Sequence, residues 1–343
     1  MTEIVDNSQP VEKILLIRML STADVCAIGL PVARYFQQQH SNAEVHFLTF
    51  GDGGSLLQLA EPNLTIHTVK KAQWPDDFFQ ALEAFLAIAE TIVGETYTKI
   101  VNLDTTFMPC FLARFLKDAH EPVSGNYLNM SISSLLEKVQ SQQLQADYVN
   151  SEQAYLDSSF TTMYKWQTQW WEFGDTPDGG YPEFYLKRCC GLVTDSLSQS
   201  INVVPDKRLT KKAKLKKVVG LCLKQADDQH SYSQTPELKK LLSQQGYEVW
   251  SEVEVNSDPN KLLKMMAASD LVVTKSAAPR WYAQAVSCPT LLISGQSEPA
   301  LLMPEFATEQ TPPNACDKPN ELLESIDSIF EHFAEVEKGT HNG

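Results

Sequence analysis

One carboxylate stands out by position. Asp24 follows the apolar run 13–18 (KILLIR) through Met19-Leu20-Ser21-Thr22-Ala23, and it opens a segment of helical period that extends to Gln39. At the tip of a first strand, such a carboxylate can take a proton from a substrate hydroxyl as a general base. It can equally cap the helix that begins there. Position alone leaves both roles open. Other chemistry is harder to find. No GxGxxG follows a strand and no GxxxxGK[ST] occurs, which argues against dinucleotide and P-loop binding. GxSxG and HExxH are missing too, and the seven histidines have no metal-ligand spacing.

The elements that must position Asp24 alternate in type. Residues 13–18, 44–50 (EVHFLTF), 64–69 and 99–103 (KIVNL) read as strands, with helices predicted at 25–39, 55–60, 75–94 and 108–116. This alternation defines βαβ units on a parallel sheet. Residues 126–190 break the pattern, with helices predicted at 132–146 and 152–173 and a Gly/Pro/Asp turn at 175–182. Trp166, Trp170, Trp171, Phe173, Tyr181, Phe184 and Tyr185 crowd there, either packing on the first sheet or lining an acceptor pocket. Alternation restarts with strands at 217–223 (KVVGLCL), 248–252, 271–274 and 290–293, and helices at 235–245, 260–268 and 279–286. Leu322, Leu323, Ile326, Ile329, Phe330 and Phe333 then fall at helical spacing over 320–336, as in an amphipathic docking helix. The predicted organisation is a disordered N-terminus (1–12), a Rossmann-like domain (13–206), a basic linker (207–216), a second Rossmann-like domain (217–316), and a docking helix and tail (317–343). Two open α/β sheets joined in this way place their best binding crevice between them, at the carboxyl ends of the strands.

A chain of 343 residues is long enough for both domains. With 43% hydrophobic and 21% charged residues, its composition is that of an ordinary soluble protein. The longest apolar run, 82–93, is broken by Glu83 and Glu90, so no segment is expected to span a membrane. No basic region followed by an apolar stretch opens the chain, so no signal peptide is expected. Seven cysteines without CxxC spacing point to reduced thiols in a cytoplasmic protein, not to a disulfide framework or zinc site. The net charge of −15 disfavours non-specific binding to nucleic acid or anionic membrane. Against it stands the run Lys207, Arg208, Lys211, Lys212, Lys214, Lys216 and Lys217. It reads as a solvated connection between domains or as a local anion or membrane-surface patch.

Arg18, Ser21, Asp24, Val25 and Pro31 resemble the R-[TS]-x-S-x-G-D-[VI] loop, with its following proline, of heptosyltransferases of the lipopolysaccharide core (glycosyltransferase family 9). Ala23 replaces the glycine, and the proline lies one residue further on. Residues 42–48 and 61–64 are similar to the family's P-[DN]-A-x-[IV]-x-x-L…x-N-P-x-[IV] segment. Residues 97–103 are similar to its Y-D-x-[VI]-[IV]-[ND]-L strand, and Gly125 sits where it has an Arg-x-Gly. In the second domain, Val219-Gly220-Leu221 followed by Asp227-Asp228-Gln229-His230 resembles the donor-phosphate loop, with Gln229 in place of a lysine. Residues 271–281 (LVVTKSAAPRW), with Ala283, Ala285 and Pro289, resemble L-V-[IV]-[TG]-x-D-[ST]-G-x-x-H…A-A…x-P. Ser276 there replaces Asp, Ala278 replaces Gly and Trp281 replaces His. The resemblance covers residues 13–125 and 217–295.

This resemblance implies an α/β protein of the GT-B fold, two Rossmann-like doubly wound domains facing across a cleft. It implies an inverting, metal-independent glycosyltransferase with Asp24 as catalytic base. Acceptor contacts would come from Arg18, Ser21, Lys70 and Lys71, and donor contacts from Gln229, Lys275, Ser276, Ala277, Ala278, Arg280 and Trp281. The donor is a nucleotide sugar, ADP-heptose by resemblance, serving as co-substrate with no separate cofactor and no metal. The acceptor is a lipopolysaccharide or other surface glycan or glycolipid. The implied place is cytoplasmic, peripheral at the inner face of the inner membrane of a Gram-negative bacterium. Gln229 forgoes a charge-assisted contact worth about 1.5–3 kcal/mol. Lys224, Lys275 and Arg280 are candidate replacements, and the last two flank the helix start. Trp281 either stacks on a base or sugar ring or fills space. Arg114 and Lys117 are further candidates, with Lys70 and Lys71, for a basic wall facing an anionic acceptor. The altered donor motif also fits an alternative, a non-catalytic GT-B protein acting as a binding or regulatory partner in polysaccharide assembly. A nucleotide-sugar epimerase of the same fold is the third reading.

Overall fold

The computed structural model describes residues 11–19, 21–69, 87–168, 170, 174, 176–195, 197–224, 231–252, 258–295, 299–309 and 318–340. The chain divides into two units, one formed by residues 1–170 and 182–198, the other by 171–181 and 199–343.

The first unit is built on β1 (Lys13–Ile17), whose last four residues are fully buried. A strand apolar on both faces belongs in the middle of a parallel sheet, and β1 lies there. The sheet order is β3-β2-β1-β4-β5-β6, with β2 (Glu44–Phe50), β3 (Thr65–Val69), β4 (Lys99–Asn102), β5 (Val123–Leu128) and β6 (Leu156–Ser158). All pairings are parallel except β5 with β6. Helix α1 follows β1 as Thr22–Asp24, a π-helical turn at Val25–Gly29, and Leu30–Gln39. It is followed by α2 (Gly51–Ala60), α3 (Phe107–Asp118) and α4 (Ile132–Gln140). Strand order reverses between β1 and β4, so the crevice for a ligand opens beyond the carboxyl ends of those two strands.

The second unit repeats the plan with order β11-β10-β9-β7-β8, all parallel. Its elements run α5 (Lys207–Ala213), β7 (Val218–Cys222), α6 (Thr235–Gln245), β8 (Glu248–Ser251), α7 (Pro259–Met266), β9 (Leu271–Thr274), α8 (Ala277–Ala285), β10 (Thr290–Leu292), β11 (Phe306–Ala307) and α9 (Pro319–Thr340). Helix α9 buries Leu322, Ile326 and Phe330 in the same core as Leu238 and Leu242 of α6. The reversal here lies between β7 and β9. A Cβ at Gly220 of β7 would sit 2.4 Å from the Trp250 indole, so that strand crosses the ring where only glycine fits.

Two predicted elements differ. The helix expected over 152–173 ends at Tyr155, and Leu156–Ser158 pairs with β5 instead. The Ser158 hydroxyl donates to Asn126 Oδ1 (2.7 Å), and Ser159 Oγ accepts from Gly125 N (2.7 Å). Short polar side chains that bond to neighbouring strands in this way draw backbone out of a helix. The basic run expected as a linker is helix α5 within the second unit, capped by Asp206 Oδ1 on Leu209 N (2.9 Å) and anchored by the buried Leu209. The first part of the expected helix at 75–94 lies outside the described residues, and 87–94 are helical.

Gly125 has φ +85°, and a Cβ there would lie 2.2 Å from the Asn102 carbonyl oxygen. Gly125→Ala combines left-handed strain of about 1–3 kcal/mol with overpacking of about 1–3 kcal/mol. Chemical denaturation is expected to show a stability loss of roughly 2–6 kcal/mol from those two terms. A loss of a few tenths would mean that the β4–β5 junction relaxes freely.

Candidate functional site

In the first unit the site is the loop between β1 and α1. Arg18 is the last residue before the turn and is only 1% exposed. Its guanidinium reaches Asp24 through two donors. Nη2 donates to Oδ1 at 2.8 Å, and Nε donates to Oδ2. Nη1 donates to the Leu103 carbonyl at the end of β4, and the guanidinium lies 4.9 Å from the centre of the Tyr185 ring. Tyr185 OH donates to the same carbonyl at 2.7 Å. Ser21 is the residue that caps α1, its hydroxyl accepting from Asp24 N at 3.3 Å. Asp24 therefore stands in the first turn with its side chain directed back to Arg18, and the capping role considered for it belongs to Ser21. A bidentate Arg–carboxylate fork orients the carboxylate.

Asp104, beside this pair, was not singled out from the sequence. It is fully buried, accepts from Met19 N (2.6 Å) and from Thr106 Oγ1 (2.9 Å), and ties the β1 loop to the β4 loop. Burial pushes its carboxyl above the usual carboxylate range, with the Arg18 charge opposing that shift. Asn102 continues the layer, its Oδ1 accepting from Asp104 N (3.0 Å) and its Nδ2 donating to Asn126 O (2.8 Å). An Asn and an Asp two residues apart at a strand end were the available signal.

Arg18 was expected to contact an acceptor. Its burial and its bonds to Asp24 and Leu103 make it the brace of Asp24 instead. Ser21 is exposed. Lys70 and Lys71 lie outside the described residues. Of the other cations suggested for a basic wall, Arg114 pairs with Asp118 at 2.8 Å and Lys117 lies over Tyr127 at 4.0 Å. The aromatic crowd packs as core: Trp170 stacks on Phe184 at 3.8 Å with both rings buried, and Trp166 meets Tyr185 edge-on at 5.0 Å. Trp171 and Phe173 lie outside the described residues.

In the second unit the corresponding place is the carboxyl end of β9 and the start of α8. Thr274 Oγ1 accepts from Ser276 N and donates to Ser276 O, both at 3.1 Å, which sets the turn. Ser276 precedes the helix without a side-chain cap, and Ala277 is exposed. The N–H groups of Ala277 and Ala278 fall in the first turn, where no intrahelical acceptor exists. Together with the helix dipole they suit an anion. Lys275 is half-buried beside them. Gln229 lies outside the described residues.

Two expected donor residues point elsewhere. Arg280 is 3% exposed, donating through Nε to Leu302 O (3.1 Å) and through Nη2 to Met303 O (2.5 Å), with Glu305 at 3.4 Å. It clamps the segment after β10 onto α8, so the replacement cation among the expected pair narrows to Lys275. Trp281 is 3% exposed and lies 6.3 Å from the Tyr181 ring, which favours the space-filling role over stacking on a ligand.

Glu252, at the end of β8, is a second residue missed from sequence. One of its oxygens accepts from the backbone N–H of Lys224, at the carboxyl end of β7. Burial pushes its carboxyl up to about 7 from the ordinary 4.5, and Lys224 opposes that shift only in part. The folded state thus holds this proton more tightly than the unfolded chain. The resulting stability is fully present below about pH 4.5 and is lost as pH rises through about 7. Glu252→Gln is expected to melt with wild type near about pH 5 and above it near about pH 8. Parallel melting curves across that range would rule out a buried ionisation at this position.

Two doubly wound parallel α/β units in one chain, each with its candidate groups at a strand-order reversal, are the architecture of the GT-B class. A search of solved structures supports that assignment. The chain is similar to the ADP-heptose lipopolysaccharide heptosyltransferase II of E. coli, with TM-score 0.57 and 12% identity over 94% of this chain and 99% of that one. It is similar to a glycosyl transferase family 9 protein from Veillonella parvula DSM 2008, with TM-score 0.57 and 12% identity over 86% and 84%. It also resembles a putative UDP-N-acetylglucosamine 2-epimerase from Listeria monocytogenes, with TM-score 0.51 and 11% identity over 94% and 88%. No protein-family model and no curated protein matches the sequence. The likenesses establish the GT-B fold. That fold is shared by transferases and an epimerase, so the chemistry must be argued from the residues.

Proposed function

We propose that the protein is an inverting, metal-independent glycosyltransferase that moves a sugar from a nucleotide-sugar donor to a surface-glycan or glycolipid acceptor. The observation that carries this reading is the Asp24 carboxylate, held by the buried Arg18 at the carboxyl end of β1. Residues 13–206 are assigned to the acceptor and 217–316 to the donor. Asp24 removes the proton of the acceptor hydroxyl, whose oxygen attacks the anomeric carbon as the bond to the nucleoside diphosphate breaks. The new glycosidic bond forms on the opposite face, which inverts the centre. The Ala277 and Ala278 N–H groups, the α8 dipole and Lys275 stabilise the departing diphosphate. The E. coli heptosyltransferase II is named for ADP-heptose, and an ADP-linked sugar is the first donor to test here. A lipopolysaccharide-type acceptor and a cytoplasmic site with peripheral membrane contact complete the reading. Among the described residues, no helix is long and apolar enough to cross a membrane.

The burial of Arg280 and Trp281 favours one other reading, a GT-B protein that binds without catalysis. A thermal-shift screen against ADP, UDP, GDP, CMP and their sugars separates the two. A ligand present at about 100 times its dissociation constant stabilises the fold by about 2.7 kcal/mol. The transferase reading expects one nucleotide to shift the midpoint and Lys275→Ala to reduce that shift. No shift with any of them transfers the assignment to the non-catalytic reading.

A further inference from the structure

The segment Lys207–Lys217 holds seven cations and no acid in eleven residues. Since the whole chain carries −15, the rest of it carries −22. All seven cations are exposed. Lys212 lies 3.6 Å from Glu248 and Lys217 lies 3.3 Å from Asp270. Lys207, Arg208, Lys211, Lys214 and Lys216 have no acidic partner among the described residues. Like charges placed this densely repel one another, and among the described residues folding pairs only two of the seven with acids. The arrangement is nevertheless built. Asp206 caps α5, its own N–H donates to Lys264 O of α7 at 2.8 Å, and Leu209 is fully buried beneath. Helical spacing puts Lys207, Lys211 and Lys214 along one side of α5 and its last turn. Arg208, Lys212 and Leu215 lie along the next.

Leu215 is the second observation. It sits between Lys214 and Lys216 in the turn closed by its N–H to Lys212 O (2.9 Å), and it is 85% exposed. The fold itself gives this leucine almost no burial. At a bilayer interface the lysine ammoniums meet lipid phosphates while the leucine enters the acyl boundary.

We propose that Lys207–Lys217 is the surface by which this protein rests on a membrane rich in anionic lipid. This names the membrane contact of the glycolipid reading above and rests on it for purpose, while the binding itself is testable without any transfer activity. The patch lies before β7, at the opposite end of the sheet from Ser276 and Ala277. The second unit can therefore lie on a bilayer with its donor loops open to solution.

The test is flotation of the full-length protein with vesicles of phosphatidylcholine alone or with added phosphatidylglycerol. Binding only to the anionic vesicles, weakening as salt rises, is expected. Each cation near such a surface contributes about fivefold to partitioning, so Lys211→Glu, Lys214→Glu and Lys216→Glu together are expected to weaken binding at least about 100-fold. Leu215→Ser is expected to weaken it severalfold with the salt dependence unchanged. Both variants alter exposed positions, and unchanged melting temperatures and nucleotide-induced shifts would show that the fold and donor site are intact. The inference is overturned if wild type floats with neither vesicle or equally with both, or if the triple variant floats like wild type. It is also overturned if the segment binds duplex RNA while ignoring anionic vesicles. A protein that floats as expected yet shifts with no nucleotide keeps the membrane surface and loses the transferase reading.

Discussion

Arg18→Met is expected to lower the unfolding free energy by about 3–5 kcal/mol, the range for removing one partner of a buried ion pair. The side chain of Arg18 is 1% exposed and that of Asp24 is 12% exposed, so water cannot replace the lost guanidinium effectively. The substitution leaves the Asp24 carboxylate facing methionine and strips the Leu103 carbonyl of one of its donors. It also removes the charge that opposes the upward push on buried Asp104. Arg18→Lys is expected to recover only part of the loss, because an ammonium cannot form the two-donor fork to Asp24 while also reaching the Leu103 carbonyl. Adding Asp24→Leu to Arg18→Met should lower stability by less than the two single losses combined, since the unpaired charge is then gone. Equilibrium unfolding in urea of wild type and the four variants measures these losses. A loss below about 1 kcal/mol for Arg18→Met would place the pair among ordinary surface salt bridges and remove the brace from the account.

Asp24→Asn is expected to slow sugar transfer by about 10²–10⁴-fold, the usual contribution of a positioned general base. Asparagine keeps the size and one accepting oxygen but cannot take the acceptor proton, so kcat falls while the KM for donor stays near its wild-type value. The nucleotide-induced thermal shift should persist, because the proposed donor contacts lie in the other unit. That combination distinguishes a chemical defect from a binding defect. A rate within about tenfold of wild type would remove Asp24 from the chemistry and leave it as Arg18's structural partner.

Much of the scaffold is dictated locally. The runs at 13–17, 218–222 and 271–274 are apolar without alternation, and each became a central strand buried on both faces. Helical periodicity at 320–336 likewise identified α9, which extends over Pro319–Thr340. The loop bearing Asp24 could be placed because a loop after a first parallel strand can lead only to the strand's carboxyl end. Side-chain direction was a different matter. Arg18 and Asp24 are six residues apart, but their pairing depends on Leu103 and Tyr185, which only the folded sheet delivers to the same point. Two histidines, 21 positions apart in the sequence, meet in space. Strand β2 beside β3 sets His46 and His67 each 2.8 Å from Tyr97 OH. Arg280 was read as a ligand contact from its place near a helix start, and it turned inward because the carbonyls of Leu302 and Met303 come to rest beneath it. Periodicity records which residues leave water, since burial of apolar surface is summed along an element. A polar group's partner is set by geometry a few ångströms wide, and Arg18 and Leu103, which meet in that way, lie 85 positions apart in the chain.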